Sequence, residues 1–550
     1  MQENKNSGMQ NTIAELKKQK IIFAMWNAAS TKHQPNQLWY PPLKKLFGEV
    51  ILFDPHEEMR RHGPEGMKKN FLAIVKAQQP KFILFFGTYT EFDVHTIKEI
   101  NTIAPQTKTI MFFGDDDVQF GPMSRYYAKF VDYVLVGQTQ YMDKYKTDGL
   151  HNAFELSGVS LDTYKPIKRD KIYDATLIGT IIPNRVELVR FLLKNGVNIR
   201  LWGHGWQDYP EFKRIWGGPV DFEDFLRITS ESKINLSLTL SRYGVPHIKG
   251  RVFEIAACKS FQLVGYFEEY LKYFKEGKDI VMFKDNNDLL EKIKYYLAHE
   301  QEREKIAHNM YETAVKKCDL FDIYAKIFSE IIAEEKKFVR QKLAINKKIA
   351  ILSGADFTTS TNMVKEKINS ADYVGFNIRG ARISEYRDYF LAHALEKTGK
   401  DISCCEYYLD SLFFKNSTLF QVSESIGAID AKDFAALLNI NQIMVTKKFF
   451  LENFESLRAL SENAHPEIIN EKNTAFVSMP LVWINKFSKV KNTSMEKAFR
   501  TDIVHRLQYS INNRKLLSFI LCVLAESISK RNALLPQRIV ESIFKTVQKR

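Results

Sequence analysis

Short apolar runs that end at a glycine or a polar turn recur along the first 165 residues. Five of them have the length of strands and are separated by segments long enough for helices: 21–25, 49–53, 81–86, 109–113 and 133–136. Strands that are apolar throughout are typical of parallel sheets covered by helices on both faces. The pattern predicts an N-terminal extension over residues 1–19 and a Rossmann-like domain over residues 20–165.

A second series of the same kind predicts another Rossmann-like domain over residues 166–333. Its expected elements are strands at 174–179, 198–202, 232–238 and 279–283, and helices at 185–195 and 287–297. Apolar positions at helical spacing from Tyr311 to Ile332 predict one terminal helix that returns to the first domain.

The charged run 334–342 predicts a linker over residues 334–346, after which apolar runs restart at 348–352 and 371–376. We expect a third α/β domain over residues 347–550, with basic helices from Met495 onward. The predicted fold class is therefore α/β: two tandem Rossmann-like domains followed by a C-terminal α/β domain that ends in helices.

Composition is typical of a multidomain globular protein, because 45% of the 550 residues are hydrophobic and 13% are aromatic. The five cysteines have no metal-ligand spacing, which predicts a reducing compartment. Residues 1–20 are polar and charged, and the longest apolar stretch, 516–525, is about half a membrane span. We expect a cytoplasmic location, and a peripheral contact with the inner face of the membrane is compatible with it.

The net charge of +14 raises the question of a nucleic-acid partner. The basic residues are spread along the chain, and no recognised DNA- or RNA-binding motif is present, so we expect no nucleic-acid partner. Two other anionic partners fit better: a nucleoside diphosphate, and an anionic membrane surface contacted by the basic C-terminus.

The segment from Lys249 to Cys258 is the strongest candidate for chemistry. It is expected to place Glu254 on the first turn of a short apolar helix, next to Lys249 and Arg251. A helix start beside a strand end favours phosphate, and a carboxylate there can bind vicinal hydroxyls. The alternative interpretation is that Glu254 only caps its helix.

Two further turns carry candidate donor-binding residues. Gly179 and Thr180 follow a predicted strand, with Arg185 at the start of the next helix. Gly203 permits close approach of a ligand to the backbone, and His204 is a candidate neighbour of the base or phosphate. An ordinary turn and a solvated helix start are the alternatives.

An acidic turn, Asp115, Asp116 and Asp117, follows the predicted strand 109–113. Three interpretations are open. One aspartate orients or deprotonates an acceptor hydroxyl, the turn is simply solvated, or the carboxylates bind a metal ion. We favour the first and expect no metal and no cofactor.

Residues 20–330 resemble GT-B glycosyltransferases, in particular the spore-maturation-protein-like branch related to family-4 enzymes. The segment from Arg251 to Cys258 and the preceding loop, Gly244 to Pro246, match its "Arg-x-Phe-Glu-x-x-Ala-Cys-Gly" and "Gly-x-Pro" motifs. The resemblance implies that Glu254 binds the nucleotide ribose. The chain departs from the family-4 pattern at Pro246, where an acid is usual, and at Lys259, where the glycine is replaced.

The resemblance implies a hexosyltransferase-like enzyme that retains anomeric configuration, as the related enzymes do, and uses a nucleoside-diphosphate sugar, with a UDP-sugar favoured. Its acceptor would be a glycan, a lipid-linked saccharide or a protein, in surface glycan biosynthesis. Region 347–550 faintly resembles sialyltransferases through Gly354, Asn377 and Arg379, with a partial echo at 492–494. The alternatives are therefore a bifunctional transferase and a catalytically inactive scaffold, with an epimerase ranked lower.

Overall fold

The computed structural model describes residues 10–86, 91–241, 244–334, 347–353, 356, 361–377, 381–383, 386–410, 418–420, 443–454, 457 and 474–485. The chain divides into two compact units, Met1–Lys342 and Leu343–Arg550. Among the helices of the described residues, none is both long and apolar enough to cross a membrane.

The first half of unit one is built on a six-stranded parallel sheet in the order β2-β1-β3-β4-β5-β6. The strands are apolar because helices cover the sheet, and their bounds are β1 Lys20–Met25, β2 Glu49–Phe53, β3 Phe82–Phe86, β4 Lys108–Phe113, β5 Tyr133–Val136 and β6 Ala153–Glu155. The helices are α1 Gln34–Leu46, α2 Pro55–Gln78, α3 Val94–Ile103, α4 Asp116–Gln119, α5 Arg125–Tyr127 and α6 Met142–Thr147.

The second half contains a five-stranded parallel sheet in the order β11-β10-β9-β7-β8. Its strands are β7 Tyr173–Ile178, β8 Ile199–Trp202, β9 Ser232–Ser237, β10 Gln262–Gly265 and β11 Val281–Phe283. Its helices are α7 Pro183–Lys194, α8 Phe222–Glu231, α9 Gly250–Ala257, α10 Asn286–Ala298, α11 Glu300–Lys317 and α12 Leu320–Glu334.

The single terminal helix expected over 311–332 is wrong, because the chain breaks between α11 and α12. At the break, the Val159 N–H donates to the Cys318 carbonyl at 2.8 Å, and the Leu320 N–H donates to the Val159 carbonyl at 3.0 Å. A contact with a residue so distant in sequence interrupts the helical ladder. Helix α12 does return to the first half, where Phe328 packs edge-on against Phe47 and Phe82, both with ring centroids 4.9 Å apart.

Unit two contains a mixed sheet in the order β12-β13-β17-β15-β18-β14, with β16 paired to β15. Its strands are β12 Ile349–Ser353, β13 Tyr373–Asn377, β14 Ala381–Ile383, β15 Ile402–Asp410, β16 Thr418–Phe420, β17 Ile443–Thr446 and β18 Thr474–Asn485, and its helices are α13 Thr361–Lys367, α14 Arg387–Thr398 and α15 Lys447–Glu452. The predicted fold class, two parallel Rossmann-like units followed by a further α/β region, is confirmed.

Several sequence-based expectations fall on residues outside the described ranges. They are most of the linker, the motif positions Gly354 and Arg379, the partial motif at 492–494 and the basic C-terminus from Met495. The domain boundaries as a set remain predictions.

Candidate functional site

Helix α9 begins at Gly250, with Lys249 as its N-cap residue, so Glu254 is the fifth helical residue. The expectation that Glu254 lies on the first turn is therefore wrong; it lies on the second. The Lys249 N–H donates to the hydroxyl of Tyr270 at 2.8 Å, and this contact fixes the start of the helix. Glu254 therefore lies one turn beyond the N-terminus of the helix and inside the protein, where only 8% of its surface is exposed.

The carboxylate of Glu254 lies beside the guanidinium of Arg251, with Oε2 and Nη1 3.2 Å apart. Burial raises the pKa of Glu254, and Arg251 opposes that rise. Neither of these two atoms has a partner in hydrogen-bond geometry among the described residues. Buried polar atoms are normally hydrogen-bonded, so this pair is well suited to receiving hydroxyl groups from a ligand.

Arg185 and Lys249 form a cationic site at the carboxyl ends of the second sheet. Burial, followed by repulsion from Arg185, lowers the pKa of Lys249 to about 8. Burial, followed by repulsion from Arg251, lowers the pKa of Arg185 to about 10. The Arg185 side chain donates from Nη1 to the Thr180 carbonyl at 2.6 Å. A polyanionic ligand would relieve the repulsion that lowers the pKa values of Arg185 and Lys249.

The glycines after β7 and β8 are explained by close packing of the two turns. Gly203 has φ 119°, and a Cβ there would lie 2.4 Å from the Gly179 carbonyl oxygen. Trp206 Nε1 donates to that same oxygen at 2.8 Å. His204 is exposed, and no hydrogen bond or ion pair among the described residues joins its side chain to Arg185 or Lys249. Packing therefore accounts for the glycine at 203, and the role of His204 stays a prediction.

The three aspartates of the acidic turn have different surroundings. Asp116 is 1% exposed and accepts hydrogen bonds from the Tyr145 hydroxyl at 3.2 and 3.0 Å, one to each oxygen. Burial raises the pKa of Asp116 to about 7. Asp117 is held by Gln138, which accepts from the Asp117 N–H at 2.7 Å and donates to Oδ1 at 3.0 Å. Asp115 is exposed.

Asp115 and Asp117 are the carboxylates that act on the cations of the second half. Both favour the charged form of Lys249. Desolvation, followed by repulsion from Asp117, raises the pKa of Asp115, while Lys249 lowers it. Asp116 has almost no exposed surface with which to contact an acceptor. The sequence could not separate these roles, because three consecutive aspartates differ only in the direction of their side chains.

His247 is a candidate site residue that sequence reasoning missed. It is 4% exposed, and burial, followed by repulsion from Lys249, lowers its pKa to about 4, although Asp117 acts in the opposite direction. His247 is therefore neutral at pH 7. Its position directly after the Gly-x-Pro loop was the available signal. We call Asp115, Asp117, Arg185, His247 and Lys249 the cleft cluster.

Polar contacts from one short segment join the two halves beside the cleft cluster. Gln140 Nε2 donates to the Pro246 carbonyl at 3.1 Å, and the Thr139 hydroxyl donates to Glu269 at 2.6 Å. Gln138, which holds Asp117, begins the same segment. The acidic turn and the loop that carries His247 are thus linked through residues 138–140. Across the described part of the chain, no group of three His, Cys, Asp or Glu side chains is arranged to hold a metal ion.

Residues 185–326 match a family model described as glycosyl transferase-like. The matched segment lies in the second half and contains Arg185, His247, Lys249, Arg251 and Glu254. A search of curated protein sequences gave no match.

Solved structures similar to this chain include three bacterial proteins. Anabaena HepE in complex with UDP is 13% identical, with a TM-score of 0.40, and the match covers 58% of this chain and 100% of HepE. A Rickettsia africae glycosyltransferase is 13% identical, with a TM-score of 0.43, over 57% of this chain and 99% of its own. Sucrose-phosphate synthase from Thermosynechococcus elongatus is 12% identical, with a TM-score of 0.40, over 58% and 100%. The fold itself is defined by the two parallel sheets and their strand orders.

Proposed function

We propose that this protein is a glycosyltransferase that moves a sugar from a nucleoside diphosphate to a glycan, lipid-linked or protein acceptor. The observation that carries the proposal is the cleft cluster. Within the glycosyltransferase-like segment, Arg185 and Lys249 are desolvated cations, and Asp115 and Asp117 from the other half act on Lys249. This arrangement suits an anionic leaving group on one side and a neutral hydroxyl on the other.

The proposed donor site uses the cations for the diphosphate and Glu254 for the ribose. Negative charge grows on the leaving diphosphate during transfer, and preorganised cations in a desolvated site stabilise that charge. The side chains of Lys249 and Arg185 supply the positive charge, and the turn at Gly179 and Thr180 borders them. Glu254 and Arg251 offer an acceptor and a donor for ribose hydroxyls. We favour a UDP-sugar as the donor.

On the acceptor side we assign the role of orienting the hydroxyl to Asp115 or Asp117. Retention of anomeric configuration and a place in the spore-maturation-like branch are parts of the same proposal, as is a role in surface glycan synthesis. Region 347–550 is proposed as a non-catalytic accessory α/β domain. Contact of residues 495–550 with an anionic membrane extends the proposal; deleting them should abolish liposome binding.

A thermal-shift screen of the full chain tests the donor site. The nucleotides are UDP, GDP, CDP, ADP and CMP, each with and without Mg²⁺. A ligand at a hundred times its Kd stabilises the protein by about 2.7 kcal/mol. We expect stabilisation by one diphosphate, without a requirement for metal, that is lost in Glu254→Ala.

Glu231→Ala is the matched control. Glu231 also lies on a helix, is paired to an arginine (Arg227, 3.0 Å) and has a side chain 12% exposed against 10% for Glu254. It directly precedes the amino end of β9, so it lies at the opposite edge of the sheet from the cleft cluster. A shift that survives Glu254→Ala would contradict the ribose assignment. The absence of any nucleotide response would favour the inactive scaffold, and a response to CMP alone that survives the mutation would favour a second active domain.

A further inference from the structure

A second group of polar and aromatic side chains lies at the carboxyl ends of three neighbouring strands of the first sheet. Trp26 directly follows β1, His56 lies three residues after Phe53, the last residue of β2, and Glu91 lies beyond β3. The strand order β2-β1-β3 makes these three ends adjacent. Ligands of parallel α/β sheets bind at the carboxyl ends of the strands. With His33, which precedes α1, we call them the aromatic cluster.

The members of the aromatic cluster contact one another. The Trp26 ring lies 5.2 Å from the His33 ring in an edge-on arrangement and 6.4 Å from the His56 ring in a stacked one. His56 Nε2 lies 2.9 Å from Glu91 Oε1. The side chain of Glu91 is only 5% exposed, whereas that of His56 is 47% exposed. A buried carboxylate thus orients an imidazole whose outer surface remains open to solvent.

Two observations indicate that this surface is built to receive a ligand. His33 Nδ1 is buried without a hydrogen-bond partner among the described residues. The loop that carries it is fixed, because Asn36 Nδ2 donates to the Ser30 carbonyl at 3.0 Å and the Ser30 N–H donates to the Asn27 carbonyl at 2.9 Å. Asn27 itself has φ 52°, a conformation that costs free energy and is held by the surrounding structure.

The aromatic cluster lies next to the donor half. Gln34, the neighbour of His33, accepts from Arg251 Nη2 at 3.3 Å and donates from Nε2 to the Asp221 carbonyl at 3.4 Å. Arg251 in turn is the partner of Glu254. A molecule that occupies the aromatic cluster would therefore sit beside the proposed donor site, where an acceptor belongs.

We propose that Trp26, His33, His56 and Glu91 bind a neutral saccharide unit of the acceptor. Aromatic rings supply an apolar face, and imidazole and carboxylate groups around it supply donors and acceptors for hydroxyls. Asp54 and Glu91 act on the two histidines, and their negative charge makes the site unsuited to a phosphate or other anion. This inference rests on the proposed transferase function and names the substrate class of its acceptor side.

The test is saturation-transfer NMR on the full chain with neutral methyl hexosides and hexose disaccharides, in the presence of saturating UDP. The variants are Trp26→Ala, His56→Ala and Glu91→Gln. Losing a charge-assisted hydrogen bond or a stacking face should weaken sugar binding about ten-fold or more. Long-chain alkyl glycosides form a second arm, in which a large gain in affinity identifies a lipid-linked rather than a free acceptor.

His299→Ala is the matched control, because His299 stacks on Tyr295 at 3.9 Å on an outer helix, and Tyr295 donates to Glu302 at 2.8 Å. The proposal requires that His299→Ala leave sugar binding unchanged. The UDP-induced thermal shift should persist in His56→Ala, which also shows that this variant is folded. The proposal is overturned if no sugar of the panel binds the wild type, or if all three variants bind sugar as the wild type does. Sugar binding without any nucleotide response would instead refute the transferase function alone.

Discussion

The lowered pKa of Lys249 predicts that nucleotide binding weakens between pH 7 and pH 9. With a pKa of about 8, about nine tenths of the lysine is charged at pH 7 and about one tenth at pH 9. A nucleoside diphosphate is about nine tenths fully ionised at pH 7 and almost completely so at pH 9, since the second phosphate pKa is about 6. If the ammonium form is the one that binds, the Kd should rise about ten-fold, or about 1.4 kcal/mol.

The stability of the free protein and the stabilisation that the ligand adds to it should respond to pH in opposite directions. The pKa of Lys249 is lower in the folded chain than in the unfolded chain, so the unfolded chain binds more protons in the window above pH 8. The unliganded protein therefore gains stability from Lys249 as pH rises from about 8 towards the ordinary pKa of a lysine. Stabilisation by ligand, at a concentration of a hundred times the Kd at pH 7, should fall from about 2.7 to about 1.4 kcal/mol at pH 9.

Isothermal titration and thermal shift at half-unit pH steps measure this effect. In Lys249→Arg the guanidinium stays charged, so the decline should disappear even if the absolute affinity changes. Lys294→Arg, on the exposed face of α10, is the matched control and should behave as the wild type does. Constant affinity in the wild type from pH 7 to 9, or an equal decline in Lys249→Arg, would refute the assignment of Lys249 to the diphosphate.

Three further predictions concern single residues. Lys259 adopts φ 53°, so Lys259→Gly should raise the free energy of unfolding by about 1 kcal/mol in urea denaturation; a decrease would contradict the strain. The pKa of Asp116 is raised to about 7, so the folded chain holds this proton more tightly than the unfolded chain. Proton binding by Asp116 therefore stabilises the fold below the ordinary pKa of an aspartate, and that contribution is lost as pH rises through 7. Asp116→Asn should accordingly gain stability over the wild type between pH 5 and 8 in the same assay. Gln138→Leu should leave the UDP shift intact but slow release of UDP from the donor sugar about ten-fold, because Asp117 loses both hydrogen bonds; an unchanged rate would remove Gln138 from the site.

The strands predicted in unit one lie within about two residues of observed strands, because buried parallel strands are continuous apolar runs, a local property of the sequence. Expected strand 49–53 coincides with β2, and expected strand 174–179 is shifted by one residue from β7. The terminal helix failed for a non-local reason. The break at Cys318 depends on a backbone pairing with Val159, which no pattern around residue 318 encodes.

The site was predictable where a turn motif positions its own residues. Arg185 and Thr180 belong to one turn, and the expected proximity is observed. His247 was missed because its position after the Gly-x-Pro loop does not by itself reveal that the side chain is buried and acted on by Lys249 and Asp117. The replacement at Lys259 was informative from sequence alone: a glycine in the related pattern implied a positive φ, and the lysine adopts it.

The two halves contribute different groups to the cleft cluster around Pro246, the position at which the related pattern has an acid. Its carbonyl binds Gln140 of the first half, and the next residue, His247, is buried and neutral at pH 7. The carboxylates that favour the charged form of Lys249 both come from the first half. The protonation of Lys249 therefore depends on how closely the halves approach, because removing Asp115 and Asp117 from its surroundings would lower its pKa further and weaken its hold on a diphosphate.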